Sequence, residues 1–162
     1  MSGMEIDPGR VDMRSSRALR DAFRSAPEPA LEDLVGVHRG EYIGPQWLRT
    51  VGPVITRLGR MPGWHGKRFA LAGQGASTLV GVNLLRSGEQ IVDSIPMVAA
   101  VGPSRLDGRP ALIICYPVDA PFPWPRVTDE LRPFGDDVLL GMTFGIPGAS
   151  PSGAPFLLRR VE

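Results

Sequence analysis

Asp129 is the acidic side chain whose position in this sequence best fits acid–base chemistry. It lies in the apolar run Arg126–Leu131, between Val127 and Leu131. Because side chains alternate along a strand, Asp129 shares one face with both of these neighbours. If that face lines an interior, a carboxyl group among apolar side chains is suited to act as a general acid or base. The alternatives are a position near an outer rim or a hydrogen bond to a loop amide.

The opposite face of the same strand carries two arginines, Arg126 and Arg132. If this face points inward, their guanidinium groups, together with Tyr116 or Tyr42, are candidates to anchor a ligand carboxylate through bidentate hydrogen bonds. The commoner role of such a polar stripe is a solvated outer wall. The two faces of this strand therefore predict different chemistry, and alternation alone leaves open which one is internal.

His38 and His65 are the only histidines, and neither has a cysteine or carboxylate at the spacing of a metal site. We expect structural or ligand-contacting roles for both, with no metal and no cofactor. The single cysteine, Cys115, lies inside the apolar run Ala111–Tyr116, and we expect a buried, inert thiol there. It also excludes an internal disulfide framework.

The three tryptophans, Trp47, Trp64 and Trp124, lie in or beside helical and loop segments rather than in the middle of strands. Aromatic side chains at the mouth of a barrel can line a ligand entrance. Packing in the core or anchoring of loops would explain them equally well.

The elements that must position these residues are mostly short strands. A helix is predicted to begin near Ser15 or Ser16 and to end at Ser25, and helical spacing recurs over Gln46–Arg60, where Pro53 predicts a kink or a break. The predicted strands are 35–43, 67–71, 78–86, 90–94, 95–101, 111–116, 126–131, 138–144 and 155–161. Eight or nine short strands with a single helical excursion predict a small antiparallel barrel or sandwich. We divide the chain into an N-terminal segment, 1–30, and a barrel domain, 31–162.

Composition limits the classes of function. The chain has 162 residues, 43% hydrophobic and 22% charged, with a net charge of +1. This balance fits a folded domain and gives no general attraction to nucleic acid or anionic membrane. The first 16 residues contain no apolar run, and no segment is long enough to span a bilayer, so we expect a cytoplasmic protein without membrane insertion. A homodimer is compatible with the sequence.

Six short motifs follow one another over roughly Leu34 to Val161. They are Gly36–Gly40, the turn Gly63–Phe69 with the pattern W-x-G-K-x-F, Ala111–Tyr116, Val127–Arg132, Leu139–Met142 and Phe156–Arg160. Together and in this order they resemble the bacterial GXWXG-motif family of uncharacterised proteins. This group is similar to the lipocalin and fatty-acid-binding calycins. The resemblance implies a barrel with an apolar interior and a closing strand that ends in arginine.

The sequence departs from that motif at one position, because His38 stands where the family has tryptophan. In lipocalins this tryptophan closes one end of the barrel beneath a C-terminal arginine. The resemblance therefore implies that His38 faces Arg159 or Arg160, and that the usual cation–π closure is altered.

We therefore predict a lipocalin-like antiparallel β-barrel with a short N-terminal helix and a helical lid between its first two strands. Apolar strand positions, such as Val80, Val82 and Leu84 with Leu112 and Ile114, indicate an internal cavity. The predicted function is binding of a small lipophilic molecule there. The alternative is a cofactor-independent isomerase or cyclase acting on a polyketide- or terpenoid-like substrate, with Asp129 as its catalytic residue. A protein-interaction module is compatible with the sequence but has no motif in its favour.

Overall fold

A computed structural model describes residues 7–161. Within these residues, eight antiparallel strands close into a barrel in which each strand pairs with its neighbours in sequence and the last pairs with the first. The strands are β1 (Gly36–Tyr42), β2 (Trp64–Leu71), β3 (Leu79–Ser87), β4 (Gln90–Pro103), β5 (Pro110–Cys115), β6 (Thr128–Pro133), β7 (Val138–Phe144) and β8 (Ala154–Arg160). The predicted lipocalin-like, mainly β architecture is confirmed. Residues 1–6 of the predicted N-terminal segment and residue 162 of the predicted barrel domain lie outside the described part.

The two segments predicted as separate strands over 90–101 form one long strand, β4. Pro96 lies within it and cannot donate a ladder hydrogen bond. It is exposed and pairs with Val82, beside the register shift between Val82 and Leu84 of β3. A proline is tolerated at such an irregularity, so the strand continues through it and the total is eight.

The segment between β1 and β2 forms a single helix, α2 (Gln46–Leu58), although Pro53 lies inside it. Pro53 deprives the Arg49 carbonyl of its usual helical partner. Because both residues are exposed, water can bind this carbonyl and the helix continues. Strand direction alternates around the barrel, so the β3–β4, β5–β6 and β7–β8 loops reach the same end as α2. We call this the lid end.

The interior of the barrel forms one apolar cluster, and the outer wall forms a second. The second cluster lies beneath α1 (Ser16–Ser25), whose Leu19 and Phe23 are fully buried against β7 and β8. Ser15 caps this helix by accepting a hydrogen bond from the Ala18 amide at 3.1 Å. The helix thus covers one outer side of the barrel, and the other outer side is exposed to solvent.

Two predictions, that Val80 lines the interior and that Cys115 is buried, are wrong because both residues lie on the exposed outer side. Val80 is 47% exposed and points outward, because β3 presents Leu79, Gly81 and Asn83 to the interior. Cys115 is exposed, since its neighbour Ile114 takes the inward position. These strands carry apolar side chains on both faces, so their sequence pattern does not reveal which wall a helix covers. No helix in residues 7–161 is long and apolar enough to cross a membrane.

Candidate functional site

A buried network of charged and polar side chains lies inside the barrel, toward the lid end. Lys67 of β2 and Asp129 of β6 are only 2% and 3% exposed, and their Nζ and Oδ2 atoms are 3.3 Å apart. Tyr116, which follows β5, joins them. Its hydroxyl accepts a hydrogen bond from Lys67 Nζ at 2.7 Å and donates one to Asp129 Oδ2 at 2.6 Å. The ammonium, phenol and carboxylate therefore form a closed triangle.

Two further side chains complete the network. Asn83 of β3 accepts hydrogen bonds from Lys67 Nζ at 3.0 Å and from Trp64 Nε1 at 3.1 Å, and its amide donates to the Ile95 carbonyl at 3.0 Å. On the other side, Thr143 of β7 donates to Asp129 Oδ1 at 2.7 Å. Thr143 lies directly opposite Asp129 in the β6–β7 ladder. These contacts fix the position of each charged group from a neighbouring strand.

A β-bulge at the start of β2 places Lys67 in this network. Trp64 and Lys67 are three residues apart, a spacing that puts side chains on opposite faces of a regular strand. The ladder with β3 shifts register between Trp64 and Gly66, and the extra residue turns both side chains inward. Gly66 is required at the bulge, because a Cβ there would overlap the His38 carbonyl oxygen.

Burial and pairing act in opposite directions on the Lys67 ammonium. Burial lowers the pKa of Lys67, and the nearby Asp129 carboxylate raises it in part. The Trp64 ring, whose centroid lies 5.7 Å from Nζ, offers further stabilisation to a cation. Burial, followed by the charge of Asp129, raises the pKa of Tyr116 well above its usual range. Tyr116 is therefore a neutral hydrogen-bond donor at ordinary pH.

An apolar cavity of about 110 Å³ opens onto this network. Lys67, Tyr116, Asp129 and Thr143 form its polar wall. The inner side of α2 forms another wall. The apolar lining is supplied by Ile43, Leu48, Ile55, Met61, Ile146 and Phe156, among others. For comparison, an engineered apolar cavity of about 150 Å³ binds benzene. The smaller volume here therefore suits a ligand of at most about one ring.

No protein-family model matches the chain, and no curated protein does either. A solved structure does. The crystal structure of a protein from Thermomonospora curvata superposes with a TM-score of 0.63 at 18% sequence identity, over 91% of this chain and 88% of the other. At this identity the likeness shows a shared fold alone, so the chemistry of the site rests on its geometry.

Five of the sequence-predicted site residues line the cavity: Asp129, Tyr116, Tyr42, Trp64 and Trp124. The Tyr42 hydroxyl is 2.9 Å from Thr56 Oγ1, and Trp124 Nε1 donates to the Gly59 carbonyl at 2.7 Å. These two contacts attach α2 and the turn that follows it to the barrel. The aromatic residues thus both line the cavity and hold its lid.

The two arginines lie elsewhere, so the structure does not place a carboxylate anchor of the predicted kind in the cavity. Arg126 is exposed. Arg132 is fully buried on the outer wall, where both terminal nitrogens donate to Asp107 at 2.7 Å and the guanidinium lies 4.5 Å from the Phe23 ring centroid. Arg132 therefore holds α1 against the barrel. The stripe predicted to be a solvated outer face is buried at Arg132 because α1 covers it.

Trp47 and His65 also lie away from the cavity. Trp47 is 63% exposed on the outer side of α2, since the inner side of the helix is taken by Leu48, Gly52 and Ile55. His65 lies between the two inward residues of the bulge and is partly exposed. Neither is placed to contact a ligand inside the barrel.

His38 is buried at the end of the barrel opposite the lid. One ring nitrogen, Nε2, is 2.8 Å from the Leu34 carbonyl oxygen, so it donates there. Burial lowers the pKa of His38, which favours the neutral ring. Arg160 is the ladder partner of His38, as the resemblance implied. The Arg160 guanidinium, however, donates to the Glu32 and Asp33 carbonyls. Across residues 7–161, no three His, Cys, Asp or Glu side chains converge into a group able to hold a metal ion.

Sequence reasoning missed Lys67, Asn83 and Thr143. One signal pointed to Lys67: it is the only lysine among 18 basic residues. A chain that otherwise uses arginine keeps an ammonium at this position, and an ammonium can lose its proton on burial whereas a guanidinium cannot. Asn83 and Thr143 are identifiable only once the strand faces are known.

Proposed function

We propose that this protein binds a small lipophilic molecule inside its barrel, with the polar part of that molecule directed at Asp129 and its partners. The supporting observation is the cavity itself, which combines apolar walls with one polar wall. Few but well-placed polar groups in an otherwise apolar pocket are typical of small-molecule sites. The apolar walls supply affinity through burial, and the polar wall supplies orientation.

The test uses two neighbouring residues of α2 that face opposite ways. Ile55 lines the cavity, whereas Val54 is on the outer side of the helix and exposed. Ile55→Phe fills the cavity and should weaken binding of toluene at least about tenfold, because a methylene-sized loss of space is already costly in packed interiors. Val54→Phe makes a similar change in side-chain size outside the cavity and should leave the affinity unchanged. Isothermal titration calorimetry measures both.

Equal effects of the two substitutions would contradict binding in this cavity, as would the absence of any toluene binding to the unsubstituted protein. Native mass spectrometry of protein purified from its own host supplies an independent observation. A retained small molecule, lost in Ile55→Phe and kept in Val54→Phe, is the expected result.

The alternative, an isomerase or cyclase, is favoured by one specific contact. The Asp129 carboxylate, a proton acceptor, lies in the cavity wall beside two proton donors, Lys67 and Tyr116. A base and two donors in one network are the groups needed to move a proton between two positions of a bound substrate. The reaction would remove a proton next to a carbonyl group and return it at another carbon, with no net redox change.

A β,γ-unsaturated cyclohexenone tests this alternative, because its conversion to the conjugated isomer changes its ultraviolet absorbance. Catalysis by Asp129 predicts that conversion slows by roughly 10²-fold in Asp129→Asn while binding persists. A rate equal to that of buffer, or one unaffected by the substitution, would leave binding as the function.

The same proposal includes a cytoplasmic location and membership of the GXWXG-motif family. The free, exposed thiol of Cys115 fits a reducing compartment. The family resemblance rests on the short motifs named above. The β-bulge between Trp64 and Lys67 lies within one of these motifs, Gly63–Phe69.

A further inference from the structure

We propose that the ligand is a neutral molecule of about one ring that donates a hydroxyl hydrogen bond to Asp129, such as an alicyclic alcohol or an enol. This inference rests on the proposed binding function and specifies its ligand class. It follows from which hydrogen-bonding positions of the network are already taken and which are free at the cavity wall.

The network donors on the cavity wall, those of Lys67, Tyr116 and Thr143, are used internally. An ammonium has three N–H groups. Lys67 Nζ donates to Asn83 Oδ1 at 3.0 Å, to the Tyr116 hydroxyl at 2.7 Å and to Met97 Sδ at 3.8 Å, and Asp129 Oδ2 lies 3.3 Å away as its ion-pair partner. The single Tyr116 O–H is given to Asp129. The Thr143 O–H is also given to Asp129. A ligand that only accepts hydrogen bonds must therefore break one of these contacts.

Acceptor capacity remains on the same wall. Each oxygen of a carboxylate can accept about two hydrogen bonds. Among the described residues, Asp129 Oδ2 accepts the Tyr116 hydroxyl and lies 3.3 Å from the Lys67 ammonium, whereas Oδ1 accepts only from Thr143. The Thr143 oxygen, which also faces the cavity, keeps its lone pairs. The free positions can thus be filled by a ligand O–H and cannot be filled by a ketone, an ether or a carboxylate.

Charge points to the same class. The Lys67 ammonium and the Asp129 carboxylate balance each other inside an apolar enclosure. A ligand carboxylate or ammonium would bring an unmatched charge into this space, and such a charge is strongly disfavoured there. The arginines that could have balanced an anion, Arg126 and Arg132, lie outside the cavity. The ligand should therefore be uncharged.

Four six-membered-ring compounds of similar size separate these possibilities: cyclohexanol, cyclohexanone, cyclohexane and cyclohexanecarboxylate. Calorimetric titration of the unsubstituted protein should show cyclohexanol binding at least about tenfold more tightly than cyclohexanone, because a hydrogen bond to a charged acceptor is among the stronger ones. Cyclohexane should bind, since the walls are apolar. Cyclohexanecarboxylate should bind most weakly of the four.

Substitution of Asp129 should remove the preference for cyclohexanol over cyclohexanone. In Asp129→Asn, the amide can donate to a ketone, so the cyclohexanol-to-cyclohexanone ratio should fall below about threefold. If that variant does not fold, Lys67→Met combined with Asp129→Asn removes both charges together and should lose the preference equally. Asp136→Asn, an identical change at an exposed position, should keep the full ratio.

The outcomes also separate this inference from the function on which it rests. Equal affinities for the alcohol, the ketone and the hydrocarbon would overturn the ligand class and leave cavity binding intact. Tightest binding of the carboxylate would overturn it as well, in favour of an anion held by Lys67. Failure of all four compounds to bind would overturn the proposed function together with the inference.

Discussion

Removing either charge of the Lys67–Asp129 pair should destabilise the protein much more than removing both. Both side chains are almost completely buried, and their charged atoms are 3.3 Å apart. Loss of one partner from such a pair leaves an uncompensated charge and typically costs about 3–5 kcal/mol. Lys67→Met leaves the carboxylate with only the Tyr116 and Thr143 donors. Asp129→Asn leaves the ammonium with only neutral acceptors.

The double variant, Lys67→Met with Asp129→Asn, should recover most of the loss. The carbonyl oxygen of the introduced amide can take the place of one carboxylate oxygen and accept from Tyr116 or Thr143. The amide NH2 takes the place of the other oxygen and can donate to the remaining hydroxyl, whose own proton can rotate away. The introduced thioether side chain has no charge to balance. We expect the doubly substituted protein to lie within about 1.5 kcal/mol of the original, since exchange of a buried pair for neutral groups is often nearly neutral. The coupling between the two positions should then exceed about 2 kcal/mol.

Urea unfolding at pH 7 measures the free energy of unfolding of all four proteins, provided that the denaturant dependence stays constant. A matched control lies one residue away on the outer face. Arg68 pairs with Asp93 at 2.6 Å, but both side chains are about half exposed. The equivalent cycle, Arg68→Met and Asp93→Asn, should give a coupling below about 1 kcal/mol. Additive effects in the buried cycle, or couplings of equal size in the two cycles, would refute the reasoning.

Three more expectations concern other parts of the fold. Burial lowers the pKa of His38 in the folded state, so below about pH 6.5 the unfolded chain binds a proton at this residue more readily than the folded chain does. The free energy of unfolding should therefore fall as the pH falls. His38→Gln should flatten this pH dependence more than His65→Gln does, and an unchanged slope in His38→Gln would contradict the burial of His38. Arg132→Met should lower the free energy of unfolding by about 3–5 kcal/mol in urea, whereas Arg126→Met, at an exposed position, should change it by less than about 0.5 kcal/mol. Cys115 should react with a thiol reagent in the native protein as fast as in urea, and protection until unfolding would show that the thiol is covered.

Alternation in β6 shows how far the sequence determines the site. Val127, Asp129 and Leu131 share one face in the sequence pattern, and all three are buried on the interior side. The pattern could not tell which face was internal, because the other face is buried as well. Arg132 lies beneath α1 and donates to the Phe23 carbonyl, and Glu130 accepts hydrogen bonds from Ser104 and the Arg105 amide in the β4–β5 loop. Both sides of β6 therefore contain buried charged residues, and only the packing of segments distant in sequence distinguishes them.

Lys67 could not be placed by the same reasoning. A regular strand puts Lys67 on the face opposite Trp64, and the bulge at Gly66 reverses that assignment. The glycine is needed because the His38 carbonyl occupies the space of a side chain. This is a contact between β1 and β2 that no single-strand pattern contains. The fold was thus accessible from strand spacing and turn residues, whereas the partner of Asp129 depended on one local irregularity.

The energetics of the pair bear on why the barrel contains it. An apolar interior would hold this fold together without a buried ammonium and carboxylate, whose desolvation is only offset by their mutual attraction. Stability alone therefore gives no reason to retain Lys67 and Asp129, and their position on the wall of a cavity gives one. Suppose the doubly substituted protein is as stable as the original and no longer distinguishes cyclohexanol from cyclohexanone. The pair would then contribute to recognition rather than to folding. If stability drops sharply and discrimination persists, the network is a structural element that borders the cavity, and another wall must select the ligand.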